Sequence, residues 1–203
     1  RLADVDGSQL IRVDFDGVEL DVFYLADGDG LVVAHDDPRV EGAAPGIPID
    51  RFRFPSAMRL WLDAKNIGEL SDADLHSFAQ ALEGQGLLDR SFVESRDLQA
   101  LQRLSKEGLR TIHWLAGWTL ELLPVLKFHY AMSGIDGVSV DYRFAHKVTP
   151  HFEGRGIFTF TVNGPADIAR LCASDAIAVI LTDLPNRRAA CPETRRPRTE
   201  KTP

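Results

Sequence analysis

Gly17-Val18-Glu19-Leu20-Asp21-Val22 is an apolar run with two carboxylates set into it at i,i+2 spacing. In a strand, i and i+2 point to the same face. Glu19 and Asp21 therefore share one face, and Val18, Leu20 and Val22 share the other. The arrangement returns in Leu60-Trp61-Leu62-Asp63-Ala64-Lys65, where Trp61, Asp63 and Lys65 oppose Leu60, Leu62 and Ala64. A charge buried on a core strand costs several kcal/mol unless it is paired or bound to a metal. Three carboxylates and a lysine placed this way read as a site.

Strand-like and helix-like segments alternate outward from these two runs. Strands are expected at 17–24, 58–64, 90–95, 110–115, 137–142, 156–162 and 177–182, with a short extended piece at 31–35 after the turn signal Asp27-Gly28-Asp29-Gly30. Helices are expected at 71–83, 97–106, 119–132 with a break near Pro124, 144–153 and 165–173. Ser71 with Asp74 three residues on forms an imperfect capping box, and Pro165 opens the last helix. Repeated βα units with short connections imply a parallel sheet. The fold class is α/β, a (β/α)8 TIM-type barrel incomplete at its first strand. An open doubly wound sheet is disfavoured because no Gly-rich loop follows the first strand.

The 203 residues suit one medium domain, with 44% hydrophobic residues to supply its core. No apolar run approaches the ~20 residues that span a bilayer. The net charge of −7 is uneven: residues 186–203 hold five Arg and one Lys against two Glu, so residues 1–185 carry −11. That balance argues against nucleic-acid binding by the body. The organisation expected is a barrel domain over 1–185 and a basic, Pro/Arg-rich tail over 186–203 with the composition of disorder. Cys172 and Cys191 have no metal-motif spacing and read as two free thiols. The compartment is left open, cytoplasmic or secreted.

Several segments together resemble the glycerophosphodiester phosphodiesterase family, within the superfamily of phosphatidylinositol-phospholipase-C-like barrels. They are Gly17–Val22, Asp29-Gly30-Leu31-Val32-Val33-Ala34-His35-Asp36, Leu60–Lys65, Val93-Glu94-Ser95, Phe158–Asn163 and Ile180–Pro185. The resemblance implies Glu19, Asp21 and Asp63 as metal ligands, with Asp63 standing where the family usually has Glu. Oxygen-only ligands suit a hard cation, Mg²⁺ or Ca²⁺. Lys65 matches the family's lysine and would stabilise phosphate charge. His35 matches the second histidine, which protonates the leaving alkoxide; imidazole suits this because it titrates near neutrality.

The chain departs from the family at its start. The family's first strand ends in His-Arg-Gly, and no His precedes His35 here. Residues 1–13 hold neither the motif nor a clear strand, through truncation or loss. His113 is the best-placed substitute in space. Glu94 and Phe160 are further candidates for substrate contact, Phe160 at a position where the family usually has Trp.

The expected function is cleavage of a glycerophosphodiester or related small-molecule phosphodiester to an alcohol and a phosphomonoester. One alternative is a catalytically silent barrel that binds a phosphorylated ligand or a protein partner. Another is a phospholipase D-like or sphingomyelinase-like lyase with a weak membrane-surface contact. The segment 43–54, with Ile47, Ile49, Phe52 and Phe54, is the candidate for that contact, but its Pro45, Pro48, Asp50, Arg51 and Arg53 favour an ordinary loop over the site.

Overall fold

The computed structural model describes residues 15–152 and 154–184. The segment 1–13, with no clear strand in the sequence, lies outside the described residues, as do the tail at 186–203 and Cys191.

Strand β1 (Gly17–Leu25) does two jobs. Its first part pairs in parallel with β4 (Arg59–Ala64), Gly17 opposite Arg59 through Val22 opposite Ala64. Its last part, Val22–Leu25, forms an antiparallel hairpin with β2 (Gly30–Val33), and β2 pairs with the two-residue β3 (Ile47–Pro48). Gly30 supplies the positive φ of 66° that the hairpin turn requires. From β4 onward every pairing is parallel, through β5 (Ser91–Ser95), β6 (Arg110–Trp114), β7 (Gly137–Asp141), β8 (Gly156–Phe160) and β9 (Ile177–Ile180). The sheet order is β3-β2-β1-β4-β5-β6-β7-β8-β9.

The connections carry the helices. Between β4 and β5 lies α1 (Asp72–Glu83), and between β5 and β6 lies α2 (Leu98–Lys106). Ser71 and Asp74 form a complete capping box: the Ser71 side chain accepts from the Asp74 backbone N–H, and the Asp74 side chain accepts from the Ser71 N–H. Helix α3 (Leu123–Met132) follows a 3₁₀ turn at Gly117–Leu122. Pro124 falls in the first turn of α3, where a missing N–H costs nothing. Short α4 (Ala145–Val148) and α5 (Pro165–Cys172) complete the set.

The sheet is curled. Four strand spacings of ~4.8 Å would separate β4 from β8 by about 19 Å in a flat sheet. Yet the rings of Trp61 on β4 and Phe158 on β8 meet edge-on at 5.3 Å, and Phe92 on β5 meets Phe158 at 5.1 Å. Two cores result. Trp61, Phe92, Ile112 and Phe158 fill the inside of the curl. Leu20, Val22, Leu60, Leu62, Val93, Val138 and Val140 pack outward with the helices. Among the described residues β9 does not pair with β1, so hydrogen bonds do not close the barrel. The strands seen in the sequence thus form an incomplete α/β barrel.

One expectation changes. Cys172 is disulfide-bonded, not a free thiol; sequence spacing alone does not say which thiols meet in space. The apolar residues of segment 43–54 turn inward: Ile49 and Phe52 are buried, and Phe52 stacks on Phe54 at 5.8 Å. The large exposed apolar residues lie mostly around α3, at Trp118, Leu122, Val125, Phe128 and Met132. No helix among the described residues is long and apolar enough to cross a membrane.

Candidate active site

Parallel strands of a barrel present their functional side chains at their C-terminal ends. Glu19 and Asp21 on β1 and Asp63 on β4 meet there, because the register places Glu19 opposite Trp61 and Asp21 opposite Asp63. One carboxylate oxygen from each of Glu19, Asp21 and Asp63 lies within 4.8 Å of the others. Lys65 Nζ bridges two of them, 2.6 Å from Asp21 Oδ1 and also paired with Asp63. The His35 Nδ1 lies 3.0 Å from Asp21 Oδ2, brought over β1 by the β1–β2 hairpin. Its side chain is 89% exposed.

The charges are unbalanced, and the balance shows in Glu19. Burial, then the neighbouring Asp21 and Asp63 carboxylates, push its pKa up to about 7, against the pull of Lys65 and His35. Burial works against the Lys65 ammonium, but hydrogen bonds to Asp21 and Asp63 outweigh it and raise its pKa. The excess of clustered carboxylate suits a cation. An all-oxygen donor set suits a hard one. Lys65 and His35 already engage both Asp21 oxygens, but a carboxylate offers about four lone-pair sites, so ligation stays open.

Beside this cluster opens a cleft of about 590 Å³, a size suited to a small ligand. Glu19, Asp63 and Lys65 line one side, and Arg96, Trp114, Phe160 and Leu181 line the other. Glu94 lies between them, buried, its Oε2 accepting from Trp61 Nε1 at 2.7 Å and its other oxygen from Ser139 Oγ. Burial raises its pKa to about 8, more than those two hydrogen bonds lower it. Glu94 is therefore a neutral acid at neutral pH.

His113 does not join this group. Its Nε2–H donates to the Arg96 carbonyl at 3.1 Å, and its Nδ1 accepts from the Tyr130 hydroxyl at 2.5 Å. A carbonyl only accepts, which places the ring proton on Nε2. Tyr130 belongs to α3, so His113 faces the helix layer. Burial lowers its pKa and favours the neutral ring. Its neighbours Ile112 and Trp114 point inward instead, by strand alternation.

The structure thus brings Glu19, Asp21, Asp63, Lys65 and His35 together, sets Glu94 and Phe160 in the adjoining cleft, and places His113 outside it. Sequence reading missed Arg96, Trp114 and Ser139. Alternation puts Trp114 on the same face as Ile112, but nothing in the sequence says which face of this strand is inward, since Thr111, Ile112 and His113 are all buried.

No protein-family model matches this chain, and no curated protein does. Solved structures do. A glycerophosphodiester phosphodiesterase from Parabacteroides distasonis superposes with a TM-score of 0.59 at 16% identity, over 85% of this chain and 81% of that one. One from Agrobacterium tumefaciens gives 0.56 at 18% identity, over 86% and 87%. One from Thermotoga maritima gives 0.57 at 18% identity, over 83% and 81%. This chain shares its fold with these phosphodiesterase structures.

Proposed function

We propose that the chain is a metal-dependent phosphodiesterase that cleaves glycerophosphodiesters or related small diesters to an alcohol and a phosphomonoester. The observation that carries this is the convergence of three carboxylates, a lysine and a histidine at the C-terminal end of a parallel barrel, beside a ligand-sized cleft. The solved structures of the same fold support it by their names.

Glu19, Asp21 and Asp63 would hold a divalent cation, which when bound polarises a phosphoryl oxygen and offsets its charge. Lys65 places a second positive charge beside the same carboxylates, within reach of a phosphate oxygen. Asp21 orients the His35 ring by taking its Nδ1 side, which leaves Nε2 to meet the substrate. As the oxygen of a water bonds to phosphorus and gives up a proton to solvent, the bond to the leaving alkoxide breaks and His35 gives that alkoxide its proton. Trp114 and Phe160 offer apolar surface to the departing alcohol.

A second reading is a barrel that binds a phosphorylated ligand without turnover. It is favoured by a single observation: among the described residues His35 is the one histidine paired with the carboxylate cluster, since His113 faces the helices.

A thermal-shift titration with Mg²⁺ and Ca²⁺, followed in the same sample by release of an alcohol and a phosphomonoester from a glycerophosphodiester, separates the two. Stabilisation with turnover is the expected result for the enzyme. Stabilisation without turnover supports the silent binder. Asp21→Asn should remove the cation response; an undiminished shift in that variant would show that Asp21 is not a ligand.

A further inference from the structure

The far wall of the cleft carries a cation. The Arg96 guanidinium carbon lies 3.4 Å from the centre of the Trp114 ring, and both residues line the cleft. Arg96 is well fixed for an exposed residue: Trp114 supports its side chain, and its carbonyl is held by His113 at 3.1 Å. Among the described residues no carboxylate forms an ion pair with it. A stacked guanidinium covers the ring with its face and keeps its edge N–H groups for a ligand. Those donors match phosphate and carboxylate bidentately.

The same stacking denies the site to a different class of ligand. Quaternary ammonium groups are recognised by the open faces of aromatic rings. Here one face of Trp114 is already occupied by a cation, and the next ring, Phe160, stands 6.4 Å away and tilted by 52°. The carboxylates Glu19 and Asp63 line the cleft on the side of the carboxylate cluster, where the phosphodiester would be bound.

We propose that Arg96, held on Trp114, selects diesters whose leaving alcohol carries a phosphate or carboxylate and rejects those whose leaving alcohol is a quaternary ammonium. Arg96 is a specificity residue for the leaving group and takes no part in proton transfer. This rests on the phosphodiesterase reading above.

The test compares the full chain with Arg96→Ala and Arg96→Gln, in Mg²⁺, on glycerophosphoinositol 4-phosphate and glycerophosphocholine, following glycerol 3-phosphate, the product formed when the head-group alcohol leaves. The expected wild-type preference in kcat/KM for the anionic leaving group is about tenfold or more, the scale of one charge-assisted hydrogen-bond pair. Both substitutions should bring that ratio close to one. Equal ratios in all three proteins would overturn the proposal while leaving the phosphodiesterase reading intact, because turnover would have been seen. If neither diester is cleaved, the phosphodiesterase reading fails. Calorimetric binding of the same two compounds then decides Arg96 separately: loss of binding of the anionic compound in both variants supports its role, and unchanged or absent binding overturns it.

Discussion

Glu94 is the residue whose chemistry departs furthest from its ordinary value. Its folded pKa of about 8 lies above the 4.5 it has when free. Between those values the unfolded chain has released the proton that the folded chain keeps, so stability falls as pH rises through that window. Glu94→Gln keeps an acceptor for Trp61 and offers its amide N–H to Ser139 Oγ, which can accept as well as donate, without the ionisation. We expect its stability relative to the wild type to improve on the order of a few kcal/mol between about pH 5 and pH 8. Urea midpoints across that range measure it, and parallel curves would show that Glu94 stays ionised in the fold. The clustering of Glu19, Asp21, Asp63 and Lys65 was legible in the sequence because i,i+2 charges inside apolar runs have few structural uses; His35 was singled out by the family resemblance alone. Arg96, Trp114 and Ser139 were not legible, because their meeting depends on how far the sheet curls. His113 was misplaced for a related reason. A strand buried on both faces gives no polar–apolar alternation to say which side faces in, and Thr111, Ile112 and His113 are all buried.

At the scale of the element, local chemistry sufficed where a boundary has a cap. Ser71 and Asp74 announce α1 in the sequence, and the structure completes the box, with Asp74 N–H donating to Ser71 Oγ at 3.2 Å. Ser71→Ala removes that acceptor and should cost about 1 kcal/mol in chemical denaturation, whereas Ser71→Asp should restore most of it. The start of α3 was harder to see. Leu120, Leu122 and Leu123 carry the apolar residues across Glu121, but the chain spends Gly117–Leu122 in a 3₁₀ turn and enters the α-helix only at Leu123. Pro124 was read as a break in the helix, and it stands instead in its first turn, where proline is tolerated. The β1–β2 hairpin shows what the turn signal at Asp27–Gly30 implies for function. It returns the chain along the outer half of β1, and Ala34 N–H donates to the Asp21 carbonyl at 3.1 Å. That bond sets His35, the next residue, beside the Asp21 side chain.

At the scale of the whole molecule, the seven parallel strands curl far enough to bring β4 and β8 into ring contact, yet the described residues leave a seam. Gly17–Leu20 of β1 pair on one side, with β4, while β9 pairs on one side with β8 and has a register shift between Ile157 and Phe158. The opposite end of the sheet is blunted: β3 is two residues long and one of them is Pro48, which has no N–H to offer a further strand. Burial follows the same gradient. Leu62, Val93, Ile112, Val138 and Ile157 are fully buried in the middle strands, whereas no residue of β9 is buried. Local opening takes less free energy where few apolar contacts hold a strand. Amide hydrogen exchange should therefore run about two orders of magnitude faster in β3 and β9 than in β4 to β7. Slow exchange in β9 equal to that of β6 would mean that a hydrogen-bonded neighbour covers the seam in solution, and the open barrel would be the wrong description of the working protein.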